Sequence, residues 1–468
     1  MRFPIFVILL LMAFFQGGAF AEQPQQLAPT TLAICGWCNL NEMIDAQNSM
    51  LEATSGRAQI LRSSGDLDSM AGIPPATTLA GPTGTPNKAD LENKILLALK
   101  GMDHSAPLII YVSDHGFNDG STSPSKTGFV LWADENKQGV GVKLSVQDFG
   151  DLLKKADLVG AGKPPLRIVG DYCYSGSIHS LAEKFPNVCS SAVVEAASEG
   201  NIGFGAPFWQ TVATTAKKGG RPSFSEAYSS GMSLNPDAWR NSTGRLSSTN
   251  FAQEVLAKNG QDQAVAFMTD QMTGFGRLDQ ALNHYLNPPP LMEDSATEKT
   301  SLSVSLLVTE KFVCGQPGLF DDQQWSKLNQ SVTDVLAQVP ANIPKIYQDA
   351  LSDLSKNQAQ EHSLLSQFRD AFEKLQEKWS GMSAPEQEQN AASWQKALHP
   401  TSHSSADLSS DPQIQKFYQI EHDPELRKYL WELMMFDQYQ KLKKFFEIAS
   451  PTEIETFRRL SDCEGLPL

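Results

Sequence analysis

The sequence predicts an α/β protein in which helices flank a mostly parallel sheet, followed by an all-α C-terminal domain. In the first part of the chain, short apolar runs alternate with segments whose apolar residues recur at helical spacing. That order is typical of parallel strands joined by crossover helices. From about residue 321 to the end only the helical spacing remains, which predicts a helical bundle. We therefore expect a sheet domain over residues 22–286, a linker over 287–320 whose residues 303–308 fit an accessory strand, and a helical domain over 321–468.

The composition is that of a folded, globular protein. Hydrophobic residues make up 41% of the 468 residues and charged residues 19%, so neither long disorder nor a collagen-like repeat is expected. Acidic residues outnumber Lys and Arg by 53 to 38, which gives a net charge of −15. A surface this acidic repels phosphate backbones and anionic headgroups. We therefore expect neither nucleic acid nor an anionic membrane surface as the main partner.

Residues 1–21 are typical of a secretory signal peptide. A positive start at Arg2 precedes the apolar run 3–15, and Ala19 and Ala21 supply the small residues that a signal peptidase reads. The alternative is a membrane anchor, but a bilayer span needs about 20 apolar residues and this run is shorter. We therefore expect a mature chain that is secreted or periplasmic, without stable membrane insertion. Export also implies an oxidising compartment, in which disulfides persist.

Local patterns predict the elements of the sheet domain in order. Continuous apolar runs are typical of strands buried on both faces, and spacings of three and four are typical of amphipathic helices. These patterns predict strands at 31–34, 108–112, 129–132, 166–169 and 191–197, and helices at 45–53, 89–99 and 145–156. Ser145 is the expected N-cap of the third helix, and Ser450 with Pro451 and Glu453 predicts the start of the last helix in the chain.

Two of these strands end in reactive side chains. The second strand runs into residues 114–116 (Asp-His-Gly), and the fourth runs into residues 171–176 (Asp-Tyr-Cys-Tyr-Ser-Gly). The helix predicted between them serves as a crossover, so the two strands are expected to be parallel neighbours. Such neighbours bring their carboxyl ends to one edge of the sheet, where open α/β sheets bind ligands. His115 and Cys173 are therefore predicted to face each other.

A neighbouring His and Cys form the pair that nucleophilic attack on an amide requires. A thiol of ordinary pKa is only slightly ionised at neutral pH, and an imidazole beside it removes the proton or stabilises the thiolate. The thiolate attacks the carbonyl carbon, and the imidazole later protonates the leaving amine. The N–H groups of Gly116 and Cys173 are the expected donors to the oxyanion, because a glycine lets the backbone approach closely. Cys173 is thus the predicted nucleophile and His115 the predicted base, with no metal or other cofactor required.

These motifs resemble those of the caspase-like cysteine peptidases, which include legumains and metacaspases. In that superfamily an apolar strand ends in His-Gly and a later one ends in Cys, with Ser-Gly or a similar pair behind it. Residues 114–116 are most similar to legumains and residues 171–176 to metacaspases, and the resemblance covers about residues 30–235. It implies a caspase-like sheet domain and an endopeptidase that acts on peptides or proteins. The bulky Tyr172 departs from the small residue that is usual at this position.

The resemblance also implies a role for Asp171, two residues before the nucleophile. Legumains and metacaspases keep an acid there that lines the pocket for the residue before the cut, called P1. A basic or amide P1 side chain would then be favoured over an acidic one. From the residues alone, a helix cap or a salt-bridge partner is an equal alternative for Asp171. The resemblance to legumain zymogens further implies a lid role for the C-terminal helices, and a partner-binding module is the alternative.

Two other functions remain open at this point. One is a secreted caspase-like interaction protein with a silent site. The other is a thiol oxidoreductase that uses Cys35 and Cys38, because a Cys-x-x-Cys motif between a strand and a helix is the arrangement of thioredoxins. A purely structural disulfide, or two thiols without redox function, is the alternative for this motif. Position alone favours a further disulfide between Cys314 and Cys463.

Overall fold

The structure, a computed structural model, describes residues 29–260 and 343–468 apart from several gaps. The gaps are residues 39, 64–71, 82–83, 134–140, 195–202, 235–244, 384, 387–411 and 422, and residues 330, 333–334 and 337 are described in addition. The predicted signal peptide at 1–21 and the predicted linker at 287–320, with its accessory strand, lie outside the described residues.

Strands and helices alternate through the first part of the chain, and helices follow. The strands are β1 (Thr31–Cys35), β2 (Ala58–Arg62), β3 (Thr77–Thr78), β4 (Leu108–Ser113), β5 (Gly116–Asn118), β6 (Thr127–Ala133), β7 (Gly141–Ser145), β8 (Leu166–Asp171), β9 (Val188–Ala192) and β10 (Arg245–Leu246). The helices are α1 (Asn41–Ala53), α2 (Lys88–Lys100), α3 (Val146–Lys155), α4 (His179–Lys184), α5 (Gly205–Lys217), α6 (Phe224–Leu234), α7 (Ser247–Lys258), α8 (Lys345–Lys356), α9 (Gln358–Ser380), α10 (Pro412–Glu421), α11 (Pro424–Ile448) and α12 (Pro451–Gly465).

Seven strands form the central sheet, in the order β10-β9-β8-β4-β1-β2-β3. All neighbours run parallel except β10 and β9, which are antiparallel. The remaining strands β5, β6 and β7 form a small antiparallel sheet of their own. The predicted class is therefore confirmed at this level: a mostly parallel sheet flanked by helices, with further helices at the C-terminal end.

Two strand predictions differ from the structure. The strand predicted at 129–132 exists as part of β6, but it pairs in the antiparallel sheet. The strand predicted at 191–197 begins earlier, as β9, because the serines inside β9 weaken its apolar pattern while the buried Val193 and Val194 follow its end. The helices α5, α6 and α7 were not predicted.

The central sheet separates two hydrophobic cores. Alternate residues of a strand point to opposite faces, so Leu32 and Ile34 of β1 pack with α2 and α3, while Ala33 packs on the other face. That second face carries α1, α5, α6 and α7. The helices near the C-terminus share its core, since Tyr439 and Phe457 belong to the same buried cluster as Phe208 of α5 and residues of α6 and α7. None of the described helices is both long and apolar enough to cross a bilayer.

The last helix is bonded to the sheet. Cys463 of α12 forms a disulfide with Cys189 of β9. The disulfide expected between Cys314 and Cys463 is therefore wrong: α12 packs against β9, which brings Cys189 beside Cys463, and Cys314 lies outside the described residues. Helix α12 begins as predicted, with a capping box between Ser450 and Glu453.

Candidate active site

His115 and Cys173 lie at the same edge of the central sheet because β4 and β8 are parallel neighbours. The last paired residues are Ser113 and Asp171, so each reactive residue follows its strand by two positions. A hydrogen bond of 3.3 Å from the N–H of Asp114 to the carbonyl of Asp171 continues the pairing beyond the strand ends. The structure thus brings the two predicted motifs together at one rim.

Gly116 lies directly against the main chain of Cys173. A Cβ placed on Gly116 would overlap the carbonyl oxygen of Cys173 and would lie only 2.6 Å from its carbonyl carbon. A residue with a side chain does not fit here, because the obstructing atoms belong to a backbone that cannot turn aside. Glycine at this position is therefore a condition for the close approach of the two motifs.

The chain becomes accessible where the two strands end. β4 and β8 are buried along their whole length, whereas His115, Gly116 and Cys173 are each half-buried. Cys173 keeps its thiol, while the other four cysteines of the described residues form two disulfides. An accessible thiol at the end of a buried strand is a rigidly held group that a substrate can reach.

A tight turn follows Cys173. Tyr174 has a φ of 63°, in the left-handed region that residues with side chains seldom adopt. A short 3₁₀ turn at Ser175–Ile178 comes next. The buried hydroxyl of Ser175 accepts hydrogen bonds from the N–H groups of Val193 and Val194, at 3.2 and 3.4 Å. These bonds anchor the turn to the segment after β9 and so fix the direction in which the chain leaves the thiol.

Burial lowers the pKa of His115 below its usual value. Removing an imidazole from water penalises the charged form, so His115 is neutral at neutral pH. A neutral imidazole can accept a proton. Its electrostatic state therefore suits a general base.

Asp114 holds the backbone around the histidine. Its buried carboxyl group accepts hydrogen bonds from the N–H groups of Gly36 at 2.6 Å, Trp37 at 3.1 Å and His115 at 2.7 Å. Burial raises the pKa of Asp114 to about 8, although the three N–H donors act in the opposite direction. Asp114 is thus fully engaged in binding backbone, and it links the end of β1 to the end of β4.

His115 has an aromatic neighbour, Trp37, that the sequence motifs did not predict. The rings of Trp37 and His115 lie with their centroids 4.3 Å apart and their planes tilted by 40°. Trp37 stands between Cys35 and Cys38, directly after β1, which pairs with β4. The Cys-x-x-Cys motif follows a predicted strand, and this position could have placed the residues between its cysteines at the same sheet edge as His115.

Asp171 is buried beneath this rim. The hydroxyl of Tyr111 donates to one of its carboxyl oxygens at 2.6 Å, and the N–H of Gly205 also bonds to the carboxyl. Gly205 is the first residue of α5, so Asp171 caps that helix, which was one of the alternatives for it. Its other oxygen has no hydrogen-bond partner among the described residues. Burial raises the pKa of Asp171 to about 7. Its predicted role in a P1 pocket remains a prediction.

The bulky Tyr172 is accommodated on the opposite face of the sheet. It is buried, and its ring packs against Phe129 of β6 at a centroid distance of 5.6 Å. Successive residues of an extended chain point to opposite sides, so Tyr172 points away from the side that holds Asp171. The bulk of Tyr172 is therefore accommodated in the hydrophobic core of that opposite face.

The Cys-x-x-Cys motif is present as a disulfide in the protein interior. Cys35 and Cys38 are bonded to each other, with relative exposures of 0% and 3%. A thioredoxin-type cysteine has to be reached by the partner thiol. Burial of both half-cystines favours the structural alternative for this pair.

Among the described residues, no group of three or more His, Cys, Asp or Glu side chains is arranged to hold a metal ion. Comparison with known proteins gives no match to any protein-family model and no similar curated protein. The geometry of the rim is therefore what indicates its function.

Proposed function

We propose that the protein is an exported cysteine endopeptidase of the caspase-like type, with Cys173 as nucleophile and His115 as general base. The observation that carries the proposal is the meeting of the two motifs at the carboxyl edge of β4 and β8, with Gly116 against the main chain of Cys173. A half-buried thiol, a neutral imidazole and a backbone that permits close approach are the parts that acyl transfer needs.

The reaction follows from these parts. The Cys173 thiol gives its proton to His115, and its sulfur forms a bond to the carbonyl carbon of the substrate. The N–H groups of Gly116 and Cys173 stabilise the oxyanion. The C–N bond breaks as His115 returns the proton to the leaving amine, which leaves a thioester. A water molecule, deprotonated by His115, then hydrolyses the thioester, releasing the acid and restoring the thiol.

Asp171 supports a preference for a cationic P1 side chain. One oxygen of its carboxyl is engaged by Tyr111 and α5, while the other is buried without a hydrogen-bond partner among the described residues. Buried polar atoms gain from a partner that satisfies them. A Lys or Arg side chain would supply donors and a positive charge to this oxygen.

Mutation of the pair tests the proposal. The purified mature chain is incubated with a peptide library, and cleavage is followed by mass spectrometry, which also reports the P1 residue. We expect Cys173→Ala to abolish cleavage and His115→Ala to reduce it at least about a hundredfold, the usual contribution of a general base. The matched control is His104→Ala, because His104 is exposed and precedes β4 at the opposite end of the strand. It should keep full activity.

Two other outcomes would contradict the proposal. If the folded wild-type chain cleaves no peptide and Cys173 reacts with iodoacetamide like an ordinary thiol, the chain is instead a silent interaction protein. If it reduces insulin disulfides and loses that activity in Cys35→Ser, it is an oxidoreductase.

A further inference from the structure

The segment between Cys35 and Cys38 is held at the end of β1, beside the predicted base. β1 and β4 are parallel neighbours paired through Ile34 and Val112, so the residues after both strands emerge at the same edge. The disulfide closes residues 35–38 into a small ring. This ring, here called the Cys35–Cys38 loop, is the part of the site that the peptidase chemistry does not itself require.

Backbone contacts tie the loop to the main chain of His115. The Asp114 carboxyl group accepts hydrogen bonds from the N–H groups of Gly36 and Trp37 and, through the same oxygen that binds Trp37, from the N–H of His115. On the other side, the carbonyl of His115 accepts a hydrogen bond of 3.0 Å from the N–H of Val130 in β6. Gly36 packs so closely on β6 that a Cβ there would overlap the carbonyl oxygen of Val130. Loop, β6 and His115 thus form one interlocked unit.

The side chain of Trp37, within the loop, contacts the imidazole of His115. The ring of Trp37 lies 4.3 Å from that of His115, centroid to centroid, and is itself only half-buried. A ring in this position restricts the rotation of the imidazole and shields one of its faces from water. Burial lowers the pKa of His115, and Trp37 is one of the groups packed against its ring.

We infer that the Cys35–Cys38 loop positions the general base, with Trp37 as a positioning residue that holds the imidazole in the orientation that Cys173 requires. This inference rests on the proposed function, and it assigns the disulfide a role in the architecture of the site rather than in redox exchange. Misplacement of a reacting group by about 1 Å lowers rates by up to a hundredfold. Loss of the loop geometry should therefore act on the turnover number, while substrate affinity is retained.

The test uses a readout that needs no substrate. The rate of Cys173 alkylation by iodoacetamide is measured from pH 5 to 9 by peptide mass spectrometry, alongside kcat and KM for a cleaved peptide. The variants are Trp37→Leu, Trp37→Phe and the double change Cys35→Ser with Cys38→Ser. The matched control is Cys189→Ser with Cys463→Ser, which removes the other disulfide of the described residues, on the far side of β8 from β1.

We expect Trp37→Leu and the Cys35/Cys38 double variant to lower kcat between about tenfold and a hundredfold, with KM changed by less than about threefold. Both should also shift the acidic limb of the alkylation profile toward higher pH, because an imidazole with more access to water has a pKa nearer its usual value. Trp37→Phe should keep most of the wild-type kcat and a nearly wild-type alkylation profile, since it keeps a ring beside His115. The Cys189/Cys463 control should lose stability but keep the profile.

The outcomes separate this inference from the proposed function. If alkylation of the wild-type chain does not depend on His115, as judged with His115→Ala, the proposed dyad fails. If it does depend on His115 while Trp37→Leu and the double variant keep wild-type profiles, the dyad stands and the positioning role is overturned. Should the double variant unfold, as shown by circular dichroism, Trp37→Leu decides alone, because it leaves the disulfide in place.

Discussion

At the scale of single residues, the site depends on backbone positions that carry no reactive group. Tyr174 adopts a left-handed conformation that costs a residue with a side chain about 1 to 2 kcal/mol, and its carbonyl accepts a hydrogen bond from the hydroxyl of Ser177 at 3.1 Å. Such strain persists where surrounding contacts fix it, and this occurs often at functional sites. The backbone of Cys173 is thus held on one side by β8 and on the other by this turn.

The contact between Gly116 and Cys173 gives a prediction at this scale. In Gly116→Ala the new Cβ would meet the carbonyl of Cys173, so the His and Cys segments must separate. We expect cleavage and His115-dependent alkylation of Cys173 to fall at least about a hundredfold, with a stability loss of about 1 to 3 kcal/mol from overpacking. Gly101→Ala is the control, because a Cβ there would lie 3.4 Å from its nearest neighbour, an ordinary contact. Retention of wild-type kinetics in Gly116→Ala would show that the two segments need not touch.

At the scale of elements, the sequence predicts what is local and continuous. β4 and β8 are unbroken apolar runs, and the capping box of α12 lies within four residues, so both could be predicted. The helix predicted between these two strands also indicated that they are parallel, which places both motifs at one sheet edge. Helix α5 was not predicted, although its buried residues Gly205, Phe208, Trp209 and Val212 recur at helical spacing, because Gly205 and Pro207 are poor helix formers by local rules and tertiary packing overrides them here. The pairing of Cys189 with Cys463 depends on such tertiary packing and has no local signal.

Glu464 of helix α12 binds the first residues of helix α7. This buried carboxyl accepts hydrogen bonds from the hydroxyl of Ser247 at 2.7 Å and from the N–H of Ser248 at 2.8 Å, the first two residues of α7. Glu464→Ala leaves these donors buried without an acceptor, so we expect a loss of about 2 to 4 kcal/mol in the free energy of unfolding. Urea unfolding at pH 6 measures it. Exposed Glu455 on the same helix provides the control, and Glu455→Ala should change stability by less than about 0.5 kcal/mol. A similarly small effect of Glu464→Ala would mean that α12 is not held by this contact.

At the scale of the whole molecule, the C-terminal helices and the sheet share a core. Tyr347 of α8 and Phe436 of α11 belong to the same buried cluster as Phe204 and Phe224 on the sheet side. The hydroxyl groups of Thr249 and Tyr347 are also hydrogen-bonded across this contact. A lid that moved as one body with α8, α11 and α12 would therefore expose a large apolar surface and break the disulfide to β9. Any regulatory movement has to involve a smaller part of the predicted domain.

The buried carboxyl groups determine how the stability of the whole molecule varies with pH. Burial raises the pKa of Asp114 to about 8 and those of Asp171 and Glu464 to about 7. In the unfolded chain these groups release their protons near pH 4. Between about pH 4 and 8 the folded state therefore binds more of these protons. Burial acts in the opposite sense on His179 and His115, whose lowered pKa values let the unfolded chain bind more protons below about pH 6.5. Above that pH the contribution of the histidines fades, and the buried carboxyl groups dominate the pH dependence.

We therefore expect the free energy of unfolding to decrease as the pH rises from 6.5 to 8, by about 1 kcal/mol per pH unit, since a difference of one bound proton gives a slope of about 1.4 kcal/mol per unit. Urea unfolding at constant ionic strength over this interval measures the slope. Glu464→Gln should reduce it, because the amide keeps an acceptor but has no proton to lose. Glu453→Gln is the control: the pKa of Glu453 is lowered by its Ser450 cap, so its contribution changes only in acid. Stability that rises between pH 6.5 and 8 would show that the buried carboxyl groups are already ionised in the folded protein.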